Sequence, residues 1–260
     1  MPLRIDQMGR RVVVPEMPRR IISLVPSQTE LLYDLGLKGL IVGQTLFCIH
    51  PQEHFKTARK IGGTKKLNIQ AIRDLQPDLI IGNKEENDQS QIQELEKEFP
   101  VWMSDIFNLE GALQMIKELG EILNQSDKAH AIALEIQQEF SSLNHIKKTG
   151  KKALYFIWRK PYMVAGRNTF IQDMLQYCGL ENAITEPDSR YPEISHELIS
   201  SFKPDFIFLS SEPYPFKEEH IAELSALCPK AIIKIVDGEM FSWYGSRLRE
   251  AASYFRRLIV

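Results

Sequence analysis

The stretch SSEPYPF at residues 210–216 sets Glu212 between two serines and two prolines, directly after an apolar run. A carboxylate there is placed to accept hydrogen bonds, to pair with a cation or to exchange a proton. A second glutamate occupies the matching position earlier in the chain. NIQAIRDLQPDLIIGNKEEN (68–87) and SHELISSFKPDFIFLSSEPY (195–214) superimpose without a gap at an offset of 127 residues. Asn68 falls on Ser195, Ile72 on Ile199, Pro77 and Asp78 on Pro204 and Asp205, and Glu85 on Glu212. Two carboxylates facing one cleft would serve as ligand or closure contacts, or, with proton affinities driven apart, as an acid–base pair.

Aromatic residues follow apolar runs in the same way. Phe47 comes after LIVGQTL, Trp158 after ALYFI, Tyr214 and Phe216 after FIFLSSEP, and Trp243 and Tyr244 lie in DGEMFSWYGSR with Arg247. Aromatic faces beside a few polar groups, here Glu85, Glu86, Asn87, Glu212 and Arg247, suit a large, flat, partly apolar ligand. Cys48 and His50 are the groups nearby that would reach a metal carried by such a ligand, and a buried, inert Cys48 is the competing reading. HPQEH (50–54) matches the H-x-x-E-H pattern of inverted zinc proteases, but Pro51 would leave His50 outside a helix and no third ligand motif follows. A protein-held metal is therefore not expected.

Other chemistries are excluded by what the chain lacks. It has no G-x-x-x-x-G-K-[ST], no G-x-G-x-x-G after a strand and no G-x-S-x-G elbow. Lys and Arg total 32 against 34 Asp and Glu, a formal charge of -2, so no global basic field points to nucleic acid. The three cysteines, Cys48, Cys178 and Cys228, form no C-x-x-C pair and no disulfide framework. No span approaches the roughly 20 apolar residues of a membrane helix. The N-terminal MPLRIDQMGRRVVVPEMPRR lacks the apolar core of a secretory signal, so a cytoplasmic location is the expectation from these residues alone.

Alternating strand and helix signals must position these groups. IISLVPSQTELLYDLG (21–36) reads as strand, turn and helix, with Ser27 and Glu30 as a capping box and Gly36 as the stop. Thr169 with Gln172, and Gly179, play the same parts in a second such unit at 153–179. Between the halves, Ile132, Ile136, Phe140 and Leu143 recur at helical spacing, predicting a long helix from about Asp127 that spans roughly 30 Å. The expected fold is α/β: two Rossmann-like lobes with parallel sheets bridged by one long rigid helix. The expected divisions are 1–108, a linking helical segment 109–148, and 149–260. In parallel sheets ligands sit beyond the carboxyl ends of the strands, where Glu85 and Glu212 fall.

Taken in order, PRRIISLVPSQTELLYDLG, IVGQTLFCIHP, IQAIRDLQPDLII, GRNTFIQDMLQYCGLEN, YPEISHELISSFKPDFIFLSSEPYPF and DGEMFSWYGSR cover nearly the whole chain. In this order they resemble the class III, helical-backbone substrate-binding proteins of ABC transporters, cobalamin and iron-chelate receptors among them. The resemblance implies capture of a corrinoid or other metal chelate, carrying cobalt or iron, between two lobes of a periplasmic monomer with no intrinsic cofactor and no catalysis. By the same resemblance, Phe47, Met163 and Tyr191 match positions that hold the corrin, while two tryptophans typical of cobalamin receptors fall near Thr64 and Asn83. Glu197 matches the second-lobe glutamate that docks on the ABC permease, and its first-lobe counterpart is Gln70. The alternative reading is a cytoplasmic metallocofactor-handling enzyme or carrier, chelatase-like, working through Glu85 and Glu212.

Overall fold

The two copies of the 127-residue repeat fold alike in a computed structural model that describes residues 2–146, 148–185 and 189–259. The first copy is a helix at Ile69–Leu75 and a strand at Leu79–Asn83, and the second a helix at His196–Ser201 and a strand at Phe206–Ser210. Asn68 and Ser195 cap the helices, accepting from the amides of Ala71 and Leu198. Gln76 and Lys203, equivalent under the same offset, end them in the left-handed region with φ of 42° and 47°. The following aspartates serve equivalent ends. Asp78 accepts from the amides of Arg19 and Arg20, and Asp205 from that of Lys152, tying each strand to the start of its neighbour.

The chain divides into two units. The first comprises Met1–Ile106, Glu110–Gln137 and Tyr244–Arg247. Its elements are β1 (Leu3–Ile5), β2 (Arg11–Val13), β3 (Ile21–Ser23), α1 (Pro26–Asp34), β4 (Ile41–Gln44), β5 (Arg59–Lys60), α2 (Ile69–Leu75), β6 (Leu79–Asn83), α3 (Gln89–Leu95), β7 (Val101–Ser104), α4 (Leu109–Ile122) and most of α5 (Ser126–Ser141). β1 and β2 form an antiparallel hairpin, and the five-stranded sheet is parallel in the order β5-β4-β3-β6-β7.

The second unit comprises Phe107–Leu109, Gln138–Trp243 and Leu248–Val260. It holds β8 (Lys152–Trp158), β9 (Met163–Val164), α6 (Phe170–Tyr177), β10 (Glu181–Asn182), α7 (His196–Ser201), β11 (Phe206–Ser210), α8 (Glu218–Leu227), β12 (Ile232–Val236), α9 (Gly238–Ser242) and α10 (Leu248–Ile259). Its parallel order is β10-β8-β11-β12, with β9 antiparallel on β8. β6 and β11 are buried at every position, as parallel strands covered on both faces must be. The α/β class and the parallel sheets of the sequence reading stand.

Three local expectations change. Val25, not Ser27, caps α1, because Pro26 takes the first helical position where its missing amide costs nothing. Ser27 is buried within the helix and Glu30 is left for another partner. Thr169 does cap α6, but the Gln172 side chain reaches the amide of Asn168 instead of completing the box. The helix expected from Asp127 begins at Ser126 and ends at Ser141. At 1.5 Å per residue it spans about 24 Å, and Leu143 lies beyond it. The division between units falls within α5, between Gln137 and Gln138. Gly36 and Gly179 stop α1 and α6 as expected, with φ of 84° and 70°.

Candidate functional site

In the first unit, Asn83 ends β6 and organises the turn after it. Its Oδ1 accepts from the amides of Glu85 (2.8 Å) and Glu86 (3.1 Å), and its Nδ2 donates to Ser104 Oγ (2.9 Å). Asn87 is buried. It accepts from the amide of Asn83 and donates to the carbonyls of Leu24 (3.3 Å) and Thr64 (3.1 Å), so its side chain anchors strand-end loops. Gly82 lets the strand pass close to this side chain, since a Cβ there would lie 2.7 Å from Asn87 Oδ1 and 2.6 Å from Met103 Sδ. Glu85 and Glu86 are half-buried on this turn, and Lys65 Nζ donates to the Glu85 carbonyl.

Phe47 is 58% exposed, flanked by exposed Leu46 and Ile49, and its ring packs over Gly63. Cys48 between them is wholly buried, with its Sγ 3.0 Å from Thr29 Oγ1 and 3.1 Å from Thr45 Oγ1. Burial pushes its thiol up, the state of an inert core cysteine. His50 is half-buried. Residues 52–54 form a single 3-10 turn, so His50 and His54 do not share a helical face. Among the described residues no three His, Cys, Asp or Glu side chains gather as a metal site.

The segment Tyr244–Arg247 also belongs to this unit. Arg247 donates to both oxygens of Glu30, Nε to Oε2 at 2.9 Å and a terminal nitrogen to Oε1 at 2.6 Å. Burial raises the Glu30 carboxyl and the guanidinium opposes that rise. Tyr244 is buried beside this pair in sequence, and Gly245 runs so close to the Ser27 carbonyl that a Cβ there would collide with it.

In the second unit Ser210 takes the place of Asn83. Its Oγ donates to the Glu212 carbonyl (2.5 Å) and accepts from the Tyr155 hydroxyl (3.1 Å). The Glu212 carboxylate turns inward. Its Oε1 accepts from the Trp243 indole (2.8 Å) and from Ser242 Oγ (2.9 Å). Burial lifts the Glu212 carboxyl above its ordinary value, while these two donors work in the other direction. Trp243 and Phe216 are themselves buried, Phe216 within the apolar core with Phe156 and Ile207.

The outer aromatic residues of this unit are Trp158, 40% exposed, and Tyr214, whose ring meets it edge-on at 5.7 Å. The Tyr214 hydroxyl lies 3.3 Å from His220 Nε2, while Nδ1 accepts from the amide of Lys217. Met163 and Tyr191 are half-buried on and near β9. Glu197 and Gln70 are exposed at equivalent positions in the first turns of α7 and α2. The sequence reading passed over Ser104 and Ser242, and took for a solvated helix position His220, which is buried. Each is an ordinary polar residue in sequence whose partner is fixed only by tertiary packing.

A family profile described as "Periplasmic binding protein" matches residues 21–226, most of the chain. The chain belongs to the periplasmic binding protein family. The vitamin B12-binding protein of Vibrio campbellii is 29% identical over 196 residues, covering 74% of this chain and 70% of the relative. The vitamin B12 binding protein BtuF of Vibrio cholerae superimposes with a TM-score of 0.80 at 21% identity, covering 94% of this chain and 98% of that one. The heme-binding protein RhuT of Roseiflexus sp. RS-1 gives 0.79 at 21% identity, covering 93% and 99%. As a periplasmic binding protein the chain is a substrate-binding component and not an enzyme, which sets aside the chelatase-like alternative. Among the described residues no helix is long and apolar enough to cross a membrane.

Proposed function

We propose that this protein captures a corrinoid, with its cobalt as part of the cargo, and delivers it as a monomer to an ABC permease on the outer side of the cytoplasmic membrane. The observation that carries this reading is an exposed aromatic ring at the strand ends of each unit, Phe47 past β4 in the first and Trp158, the last residue of β8, beside half-buried Tyr214 in the second. Rings of that kind offer flat apolar faces to a macrocycle, and the half-buried Glu85, Glu86 and Tyr191 offer polar contacts to its amide edges. The relatives named for vitamin B12 favour a corrinoid over other flat chelates. The inward-facing Glu212 and Asn87 act by holding the loops in place.

The test is retention of hydroxocobalamin, haem or a ferric siderophore after gel filtration, read by absorption and mass spectra. Stoichiometric hydroxocobalamin, bound roughly three- to tenfold more weakly by Phe47→Ala or Trp158→Ala, is the expected result. Retention of haem alone would replace the corrinoid by a porphyrin. Retention of none of the three would overturn the reading.

A further inference from the structure

The hairpin of β1 and β2 has an outward face that ligand capture does not use. Its register pairs Leu3 with Val13, Arg4 with Val12 and Ile5 with Arg11. Cross-strand partners share a face and neighbours along a strand alternate. Val12 is buried, and Arg4, on the same face, reaches Glu121 of α4. Leu3, Ile5 and Val13 therefore stand on the opposite face with Arg11, at 56%, 66% and 50% exposure. Met8 and Met17, in the flanking turns, are exposed as well. Five of the thirteen large apolar side chains exposed among the described residues thus fall within the first 17 residues, a concentration that single scattered surface residues would not give.

The first 20 residues carry five arginines against Asp6 and Glu16, a charge opposite in sign to that of the whole chain. Arg11 and Arg19 are exposed, against Glu16 as the exposed acid of the same stretch, while the Arg20 guanidinium is held by the carbonyls of Leu75 and Gln76. Glu96 and Glu98, which lie beside Arg11 and Val13, pair with Arg10 and Arg73. Asp6 is buried and neutralised by Arg10. We propose that the outward face of this hairpin docks on an anionic lipid bilayer surface. Leu3, Ile5 and Val13 would leave water for the headgroup boundary while Arg11 and Arg19 meet lipid phosphates, the combination that holds interfacial segments on membranes. A second copy of the chain fits less well. A two-fold pairing of this face would bring Arg11 of both copies into one small apolar contact, where like charges repel.

The test is co-sedimentation of the full chain with vesicles of phosphatidylcholine alone and of equimolar phosphatidylcholine and phosphatidylglycerol, at low and raised salt. Binding to the anionic vesicles is expected, weakened by salt. It should fall about tenfold in Arg11→Glu, and be lost in the triple variant Leu3→Ser, Ile5→Ser, Val13→Ser. Because all four positions are exposed, unchanged thermal melting of both variants separates lost docking from lost fold. Equal sedimentation with both vesicle types, or with neither, would overturn the proposal. So would self-association of the wild type that the triple variant abolishes, because the face would then belong to a dimer.

Discussion

Arg247 clasps Glu30 through two parallel hydrogen bonds although 217 residues separate them in sequence. Their side chains keep only 11% and 14% of their exposure, so the pair is largely withdrawn from water. This pair, with the glycine contact of Gly245 on Ser27, fixes the Tyr244–Arg247 segment in the first unit. Removing one partner leaves a buried charge behind, which is costlier than never burying the pair. Arg247→Ala is expected to cost about 3 kcal/mol in urea denaturation. The double replacement Glu30→Leu, Arg247→Met should recover most of that loss. Equal destabilisation by the single and double variants would show that the segment is held by its backbone contacts instead.

Glu212 makes the pH dependence of the second unit predictable. Its folded carboxyl titrates above the ordinary value near 4.5, chiefly because it is buried. The folded state therefore holds this proton more tightly than the unfolded chain does. The resulting stabilisation is complete below the ordinary value and fades as pH rises through the folded one. Glu212→Gln keeps an acceptor for Trp243 and Ser242 without the titration, so it should gain on the wild type as pH rises from about 4.5. Denaturation midpoints across that range test this, and parallel curves for the two proteins would refute it. Glu212→Ala strands the buried Trp243 indole and should cost about 1–3 kcal/mol at neutral pH.

These two glutamates mark the boundary of what sequence reading reaches. The repeat was legible because its signals are local: a capping side chain, a Pro–Asp turn and an apolar strand recur with one spacing. Both helices and both strands accordingly appear where the alignment puts them. Ser27 and Glu30 have the spacing of a capping box, yet Pro26 shifts the helix start and frees Glu30 for an arginine near the other end of the chain. The position of Glu212 just past β11 was readable. The direction of its carboxylate was not, because it depends on Trp243 and Ser242 being brought back by α9. Cys48 beside Phe47 shows the same limit: adjacent residues of one loop, one wholly buried and one exposed.

The left-handed stops of the repeat differ in a way that can be measured. A non-glycine residue in that region costs about 1–2 kcal/mol, and glycine returns part of the gain through its greater freedom when unfolded. Lys203→Gly should stabilise by roughly 0.5–1 kcal/mol. Gln76→Gly should come out near neutral, because the Gln76 side chain donates to the Arg73 carbonyl at 2.8 Å and that bond would be lost. Equal effects at both positions in denaturant titrations would show that the Gln76–Arg73 bond contributes nothing to stability.

Glu197 and Gln70 present one charge and one neutral amide at equivalent helix starts, so under the proposed function docking on an ABC permease through them would be unequal. A hydrogen bond to a charged group contributes roughly 1.5–3 kcal/mol against about 1 for a neutral one. Glu197→Gln is expected to weaken association with the cognate permease about tenfold, and Gln70→Glu to strengthen it by a similar factor. The gain at Gln70 would be trimmed by Asp74, which now accepts from the Gln70 amide at 2.9 Å and would face a like charge one turn away. Binding to the permease in lipid nanodiscs, with ligand retention as the control for folding, reads both variants. Unchanged association in Glu197→Gln would mean that docking does not run through the first turn of α7, and the Gln70 variant would then be expected to do nothing.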